Sequence, residues 1–341
     1  MNILEHLTIT SNMSTLVLLL IFVIALFILI KGGDYLLEGA ERVGNYFKLP
    51  YFVIGALIVG IGTSLPELAS SLFAVFNINS VTIVASNAIG SNIANILLVA
   101  GLSATVGGVI ISTKELVRLE IPLLVLSTSL FIFVAYDGII NIMESFIIAI
   151  AFIIYLSYLL NHDKYEEKEM KVKQNILEDY NKEKKISKIT TEPYYILGGG
   201  IGLAVGAYYL IGVVIALSEK FDIAPGIIGL SAVALGTSLP EIVVSVKAVL
   251  RGKMDLAFGN VFGSNVFNML MIVGITGVVG PIFAGNELSL DGQTLKIALP
   301  FLALTTVIFY VSAMSKRIYI WEGLMYILFY ILFSLKIFGL V

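Results

Sequence analysis

The sequence predicts an all-α polytopic membrane protein of ten transmembrane helices, built as two inverted-topology five-helix repeats in which helices 2 and 7 are broken. Three observations carry that expectation. The 341 residues are 58% hydrophobic and only 13% charged, with a mean hydropathy of +0.97, the composition of a chain that stays in lipid. The apolar residues fall into runs of about 20, the helix length that spans a bilayer's hydrocarbon core. A hexapeptide, Gly62-Thr63-Ser64-Leu65-Pro66-Glu67, returns 174 residues later as Gly236-Thr237-Ser238-Leu239-Pro240-Glu241, each time deep inside such a run.

The runs lie at roughly 15–40, 51–76, 81–106, 119–137, 140–160, 194–217, 225–250, 255–280, 295–313 and 318–339. The first thirteen residues hold Glu5 and His6 but no Lys or Arg, so they lack the positive start of a signal peptide and the first run is expected to remain a membrane helix. The second and seventh runs carry Pro66 and Pro240. Proline has no N–H and crowds the carbonyl four residues back, so helix 2 is expected to kink or unwind around Gly62 and Thr63. Residues 161–193 hold eight Lys and eight acids, a solvated linker without the ligand spacing of an EF-hand loop. Seventeen Lys and Arg fall in the connections after runs 1, 3, 5, 7 and 9, against Lys220, Lys296 and Lys336 on the other side. The positive-inside rule therefore places both termini outside and the 161–193 loop in the cytoplasm of a multi-pass plasma-membrane protein.

Residues 32–161 align with 206–341. Beyond the hexapeptide, Asn87, Gly90, Ser91, Asn92 and Asn95 match Asn260, Gly263, Ser264, Asn265 and Asn268, and Pro122, Phe131 and Glu144 match Pro300, Phe309 and Glu322. The domains read as a first five-helix repeat at 1–160, the charged linker at 161–193 and a second repeat at 194–341. Five is odd, so the second copy enters the membrane from the opposite side. Inverted repeats with broken helices are the signature of alternating-access transporters, whose ion site lies near the midplane.

Helical spacing puts the polar residues on shared faces. Thr63, Glu67 and Ser71 stand at i, i+4, i+8, as do Thr237, Glu241 and Ser245; Asn87, Ser91 and Asn95 repeat the pattern, as do Asn260, Ser264 and Asn268. A carboxylate at bilayer depth costs at least about 2.5 kcal/mol and marks a functional site by default. Small polar residues on membrane helices more often serve packing and interhelical hydrogen bonds, which is the reading given to Asn87, Asn260, Asn92 and Asn265. Two carboxylates, hydroxyls, amide oxygens and freed backbone carbonyls form a hard-oxygen site suited to Ca²⁺, which takes about 6–8 oxygens, or to Na⁺. Without a cation, burial and mutual repulsion favour the protonated carboxyls, so H⁺ is expected to compete at low pH. Asp34, Glu38, Glu120, Asp137, Glu144, Asp255 and Glu322 lie near span ends and are read as interfacially solvated.

Other classes are poorly served. There is no basic, aromatic-laced patch for nucleic acid. Zero cysteines exclude disulfides and thiolate metal sites, and His6 and His162 lie in a terminus and a loop, so no resident cofactor is expected. No G-x-S-x-G or H-E-x-x-H appears, which argues against an enzyme. A cation channel usually needs several chains around a pore, whereas two inverted halves complete a site within a single chain.

The doubled hexapeptide and the doubled G-S-N-x-x-N segment resemble the alpha repeats of the cation/calcium antiporter superfamily, most closely its prokaryotic sodium/calcium exchangers. The resemblance implies Na⁺/Ca²⁺ antiport with more than two Na⁺ per Ca²⁺, and spans 1 and 6 sliding against the rest to switch access. It places Ca²⁺ and shared Na⁺ at Glu67 and Glu241, backbone carbonyls from Thr63 and Thr237, Na⁺ contacts at Ser64 and Ser238, and further ligands at Ser91, Asn95, Ser264 and Asn268. Some archaeal relatives and the potassium-dependent branch carry Asp where this chain has Asn268, which argues against K⁺ co-transport. A proton/Ca²⁺ exchanger of the same superfamily is the alternative.

Overall fold

The computed structural model describes residues 12–47, 49–76, 81–111, 120–173, 192–221, 238–285, 287–315, 317–337 and 339–341. Helix α1 runs Thr15–Tyr46, its first turn capped by Ser14, whose hydroxyl accepts the Val17 N–H at 3.3 Å. Then come α2 (51–76), α3 (81–107), α4 (Ile121–Ala135), α5 (Ile142–Lys173), α6 (Glu192–Lys220), α7 (Leu239–Leu250), α8 (254–284), α9 (294–314) and α10 (Ile320–Ile337). Seven helices among the described residues are long and apolar enough to cross a membrane, and α4 is apolar but shorter. The seventh expected span begins at 225, outside the described residues. Helix α5 continues to Lys173, so the charged linker starts as helix.

The irregularity of α2 falls elsewhere than at Gly62 and Thr63. Its ladder is π-helical over Ile54–Val59 and α-helical from Gly60 to Phe76, straight through Pro66. The wider π turn re-phases the helix ahead of the proline, and Pro66 still cannot bond the Gly62 carbonyl. That carbonyl faces α6, where a Cβ on Gly200 would lie 3.6 Å from it. Two further π turns, Asn95–Val99 in α3 and Phe267–Ile272 in α8, stand at matching places in the two repeats.

Two small antiparallel sheets clip the repeats together. Val109–Ile111 pairs with Arg317–Tyr319, and Ile139–Ile140 with Leu288–Ser289. Paired strands must lie on one side of the membrane, so an even number of crossings separates each pair. The expected spans give six and four. The Lys247 and Arg251 bonds to Asp34 (2.7 and 2.6 Å), and the Lys253 bond to Glu41, likewise join segments of even separation.

Small residues set the helix spacing. Without a hydrophobic drive between helices in lipid, close backbone contact is what holds them. Where α2 crosses α8, a Cβ on Gly55 would sit 2.2 Å from the Leu256 carbonyl oxygen, one on Gly259 2.2 Å from that of Phe52, and one on Gly263 2.2 Å from that of Ala56. Helices α1 and α6 approach as closely, with a Cβ on Gly199 falling 2.4 Å from the Leu36 nitrogen. A ring cluster of Phe258, Phe262 and Phe309 fills the space behind the first crossing.

Glu144 and Glu322 cap helices. Glu144 accepts the Asn141 N–H at 2.9 Å while Asn141 Oδ1 accepts the Glu144 N–H at 3.0 Å, a capping box, and Glu322 accepts the Tyr319 N–H at 2.8 Å. Glu120 departs from expectation. It is only 6% exposed, and the Tyr158 hydroxyl donates to it at 2.9 Å, so a neighbouring helix rather than water solvates it.

Asp291 opens α9. It accepts the N–H groups of Gln293 and Thr294 at 2.9 Å each, the Thr294 hydroxyl at 2.6 Å and the Ser86 hydroxyl of α3 at 3.2 Å. Partial burial opposes its charge, but the bonds from Thr294 and Gln293 outweigh it and hold the carboxyl below the usual range. A lowered carboxyl stabilises the fold above its unfolded value, and that stability disappears as pH falls through the folded value. Asp291→Ala is therefore expected to cost about 1 kcal/mol near neutral pH, the usual worth of a helix cap. Thermal melts of the two proteins should draw together as pH falls from neutral into the acid range; a gap that stays equal throughout would exclude a charge-dependent cap.

Candidate ion-binding site

The α2–α8 crossing at Gly55, Gly259 and Gly263 brings the polar stripes of the two repeats into one buried cluster. Thr63, Ser64 and Glu67 come from α2, Ser91 and Asn95 from α3, Ser238 and Glu241 from the start of α7, and Ser264 and Asn268 from α8; all are buried, Glu67 to 4% and Glu241 to 1% exposure. Thr237 lies outside the described residues. Among the described residues no group of three or more His, Cys, Asp or Glu side chains could hold a metal, so the acidic centre is these two carboxylates.

Contacts across the repeats join these residues directly. The Thr63 hydroxyl lies 3.1 Å from the Val59 carbonyl, 3.3 Å from that of Gly60, 3.2 Å from Asn260 Oδ1 and 3.4 Å from the Ser264 hydroxyl. Ser64 donates to Glu241 Oε1 at 3.5 Å, and Ser264 to the Gly60 carbonyl at 3.5 Å. Glu67 and Glu241 are near enough for their charges to repel. The π turn Phe267–Ile272, which carries Asn268, packs against both α2 and α3.

Several of these polar atoms have no hydrogen-bond partner among the described residues. They are the hydroxyls of Ser91 and Ser238, both amide atoms of Asn95 and Asn268, and Glu241 Oε2. A buried polar atom left unpaired costs about 1–3 kcal/mol, more when charged, and native proteins keep few of them. Here they lie on the helices that carry the two carboxylates and on helices packed against them. A hard cation satisfies such an oxygen set, because it bonds lone pairs and needs no donor. π turns are frequent at functional sites, and here they begin at or beside Asn95 and Asn268.

The residues read as packing divide. Asn92 donates to the Asn265 carbonyl at 3.1 Å and Asn265 to that of Val261 at 2.6 Å, both structural bonds. Asn260 is instead wedged inside the cluster, bonding Ser245 at 2.9 Å as well as meeting Thr63. Asn87, its sequence counterpart, is only part-buried. Identical motifs gave no sign of this difference.

A model of the sodium/calcium exchanger protein family matches residues 17–161 and 192–339, the two repeats without the linker. An uncharacterized membrane protein of Methanocaldococcus jannaschii is 31% identical over 316 residues, covering 91% of this chain and 95% of the relative. The sodium/calcium exchanger MaX1 of Methanosarcina acetivorans is 28% identical and covers 94% and 98%. A solved structure of the sodium-calcium exchanger NCX_Mj, soaked with zero Na⁺ and Ca²⁺, superposes with a TM-score of 0.75 at 28% identity, covering 94% of this chain and 98% of that one. With both repeats matched and the doubled motifs gathered at one buried centre, the chain belongs to the sodium/calcium exchanger protein family.

Proposed function

We propose that this protein is an alternating-access antiporter exchanging Na⁺ for Ca²⁺, the ions competing for Glu67 and Glu241. The observation that carries the reading is the set of unpaired buried oxygens around a carboxylate pair. Thr63 and Thr237 supply backbone carbonyls, Ser64 and Ser238 bind Na⁺, and Ser91, Asn95, Ser264 and Asn268 complete the oxygen shell. NCX_Mj, a sodium-calcium exchanger, was soaked with Na⁺ together with Sr²⁺ or Ca²⁺ in related structures, the ion types this reading assigns here. The formal charge of −2 matches one Ca²⁺ or two Na⁺. A third Na⁺ entering per cycle makes transport electrogenic, with Na⁺ entry driving Ca²⁺ out of the cell. Asn268 leaves the site without a third acid, so K⁺ is not carried. The repeats 1–160 and 194–341 each supply half of this centre, α1 and α6 slide together against the rest to switch access, and one chain suffices.

The test is radioactive Ca²⁺ uptake into proteoliposomes loaded with Na⁺. Uptake is expected to need internal Na⁺, to rise when a K⁺ ionophore relieves charge build-up, and to be indifferent to K⁺ itself. Equal uptake driven by a proton gradient would assign the protein to H⁺/Ca²⁺ exchange. Uptake without any ion gradient coupling would indicate a channel.

A further inference from the structure

The two copies of the G-S-N-x-x-N segment are not used alike. Asn260 is fully buried, and its amide spans three elements. Nδ2 donates to the Ser245 hydroxyl at 2.9 Å and reaches the Glu241 backbone carbonyl at 3.5 Å, both on α7, while Oδ1 faces the Thr63 hydroxyl of α2 at 3.2 Å. The orientation is fixed by chemistry, since the Glu241 carbonyl only accepts and so must face the NH₂ group. In the other repeat the described side of this bridge is not made: among the described residues the Ser71 hydroxyl, counterpart of Ser245, is buried without a partner and the side chain of Asn87 makes no hydrogen bond, while Thr237, counterpart of Thr63, lies outside them.

We propose that Asn260 is a positioning residue rather than a cation ligand, bracing the Thr63 segment against the first turn of α7 so that Glu241 and the backbone around Thr63 meet the same ion. The proposal rests on the exchanger reading and goes beyond it, because it divides two residues that the repeat makes equivalent. Asn260 sits one turn before Ser264 on the α8 stripe, and from sequence it reads as packing together with Asn87. Its committed amide sets it apart from Asn95 and Asn268, whose amide atoms are all unpaired among the described residues. A brace needs a donor toward Glu241 and an acceptor toward Thr63 in one rigid group, and only an amide of this length supplies both.

A substitution series separates brace from ligand. Asn260→Asp keeps the shape and adds a negative oxygen. A ligand at this position would then hold Ca²⁺ as well or better. A brace fails, because a carboxylate cannot donate to the Glu241 carbonyl, although Ser245 can turn its own proton toward it. Both Asn260→Asp and Asn260→Ala are expected to raise the Ca²⁺ KM of Na⁺-driven uptake about tenfold, as a 1.4 kcal/mol loss of binding would. Ser245→Ala, which keeps the amide but removes its best-placed partner, is expected to raise it by a smaller factor, and Asn87→Ala and Ser71→Ala should stay within twofold.

A KM for Asn260→Asp at or below wild type would overturn the proposal and make Asn260 a ligand. An unchanged KM with a lower melting temperature for Asn260→Ala would reduce it to ordinary packing. Equal KM effects at Asn87 and Asn260 would remove the asymmetry. If Asn260→Ala fails to fold, Ser245→Ala against Ser71→Ala decides the same question, with no KM difference between them counting against the brace. Wild-type protein without Na⁺-driven uptake would instead sink the exchanger reading, and this proposal with it.

Discussion

Glu67→Gln and Glu241→Gln are each expected to abolish Na⁺-driven Ca²⁺ uptake while leaving the folded protein intact. Glutamine keeps the shape and one oxygen but removes a charge from a site whose only acids among the described residues are these two. A carboxylate oxygen about 2.4 Å from Ca²⁺ attracts it by several kcal/mol per ion charge even at an effective dielectric of about 20, less the cost of desolvation. A net loss of about 3 kcal/mol is already more than a hundredfold in affinity. The fold has no reason to suffer, because neutralising one carboxyl relieves its repulsion with the other in the ion-free state. Thermal melting makes the distinction. Wild type should be stabilised by Ca²⁺, by about 2.7 kcal/mol at a hundred times Kd, whereas each variant melts at the same temperature with and without Ca²⁺. A variant that still transports at a tenth of the wild-type rate would show that its carboxylate is not a principal ligand.

What could be read before the structure was known follows from where information is doubled. Two copies of GTSLPE and of G-S-N-x-x-N, in the same order, are enough to indicate the repeat, and helical spacing then places Thr63, Glu67 and Ser71 on one face. The π turns left no such trace. Asn95-Ile96-Leu97-Leu98-Val99 and Phe267–Ile272 are ordinary apolar helix formers without Pro or Gly, and their ladder is set by packing against neighbours. Pro66 misled for the complementary reason. A proline marks which carbonyl loses its bond, but where the helix absorbs the strain depends on the close crossing at Gly55, a tertiary feature. The burial of Glu120 was invisible because its partner Tyr158 lies 38 residues away on another helix. The difference between Asn87 and Asn260 is the limiting case, since identical motifs occupy two environments within one molecule.

The second large effect belongs to that crossing. Gly263→Ala is expected to destabilise the protein severely and Gly263→Val to prevent its accumulation, because the added carbon lands 2.2 Å from the Ala56 carbonyl oxygen and 2.5 Å from the Ala56 Cα. Backbone cannot rotate away as a side-chain tip can, so α2 and α8 must separate. Overpacking a tight core by a single group costs about 1–3 kcal/mol, and a rigid backbone neighbour puts this site at the upper end. Separation also moves Thr63 from Asn260 and Ser264, which stand 3.2 and 3.4 Å away, so any surviving protein should bind Ca²⁺ more weakly. Gly90→Ala is the matched control. Gly90 holds the same place in the other copy of the motif, yet among the described residues a Cβ there meets nothing within 4 Å. Alanine favours helix over glycine by about 1 kcal/mol, so this variant should melt at or above wild type. Melting of the purified proteins in one detergent, with Ca²⁺ titrated into each, tests both statements. If Gly263→Ala melts with wild type, the crossing is not the constraint that gathers the site; if Gly90→Ala is as damaged as Gly263→Ala, the glycines serve a role common to the motif rather than this contact.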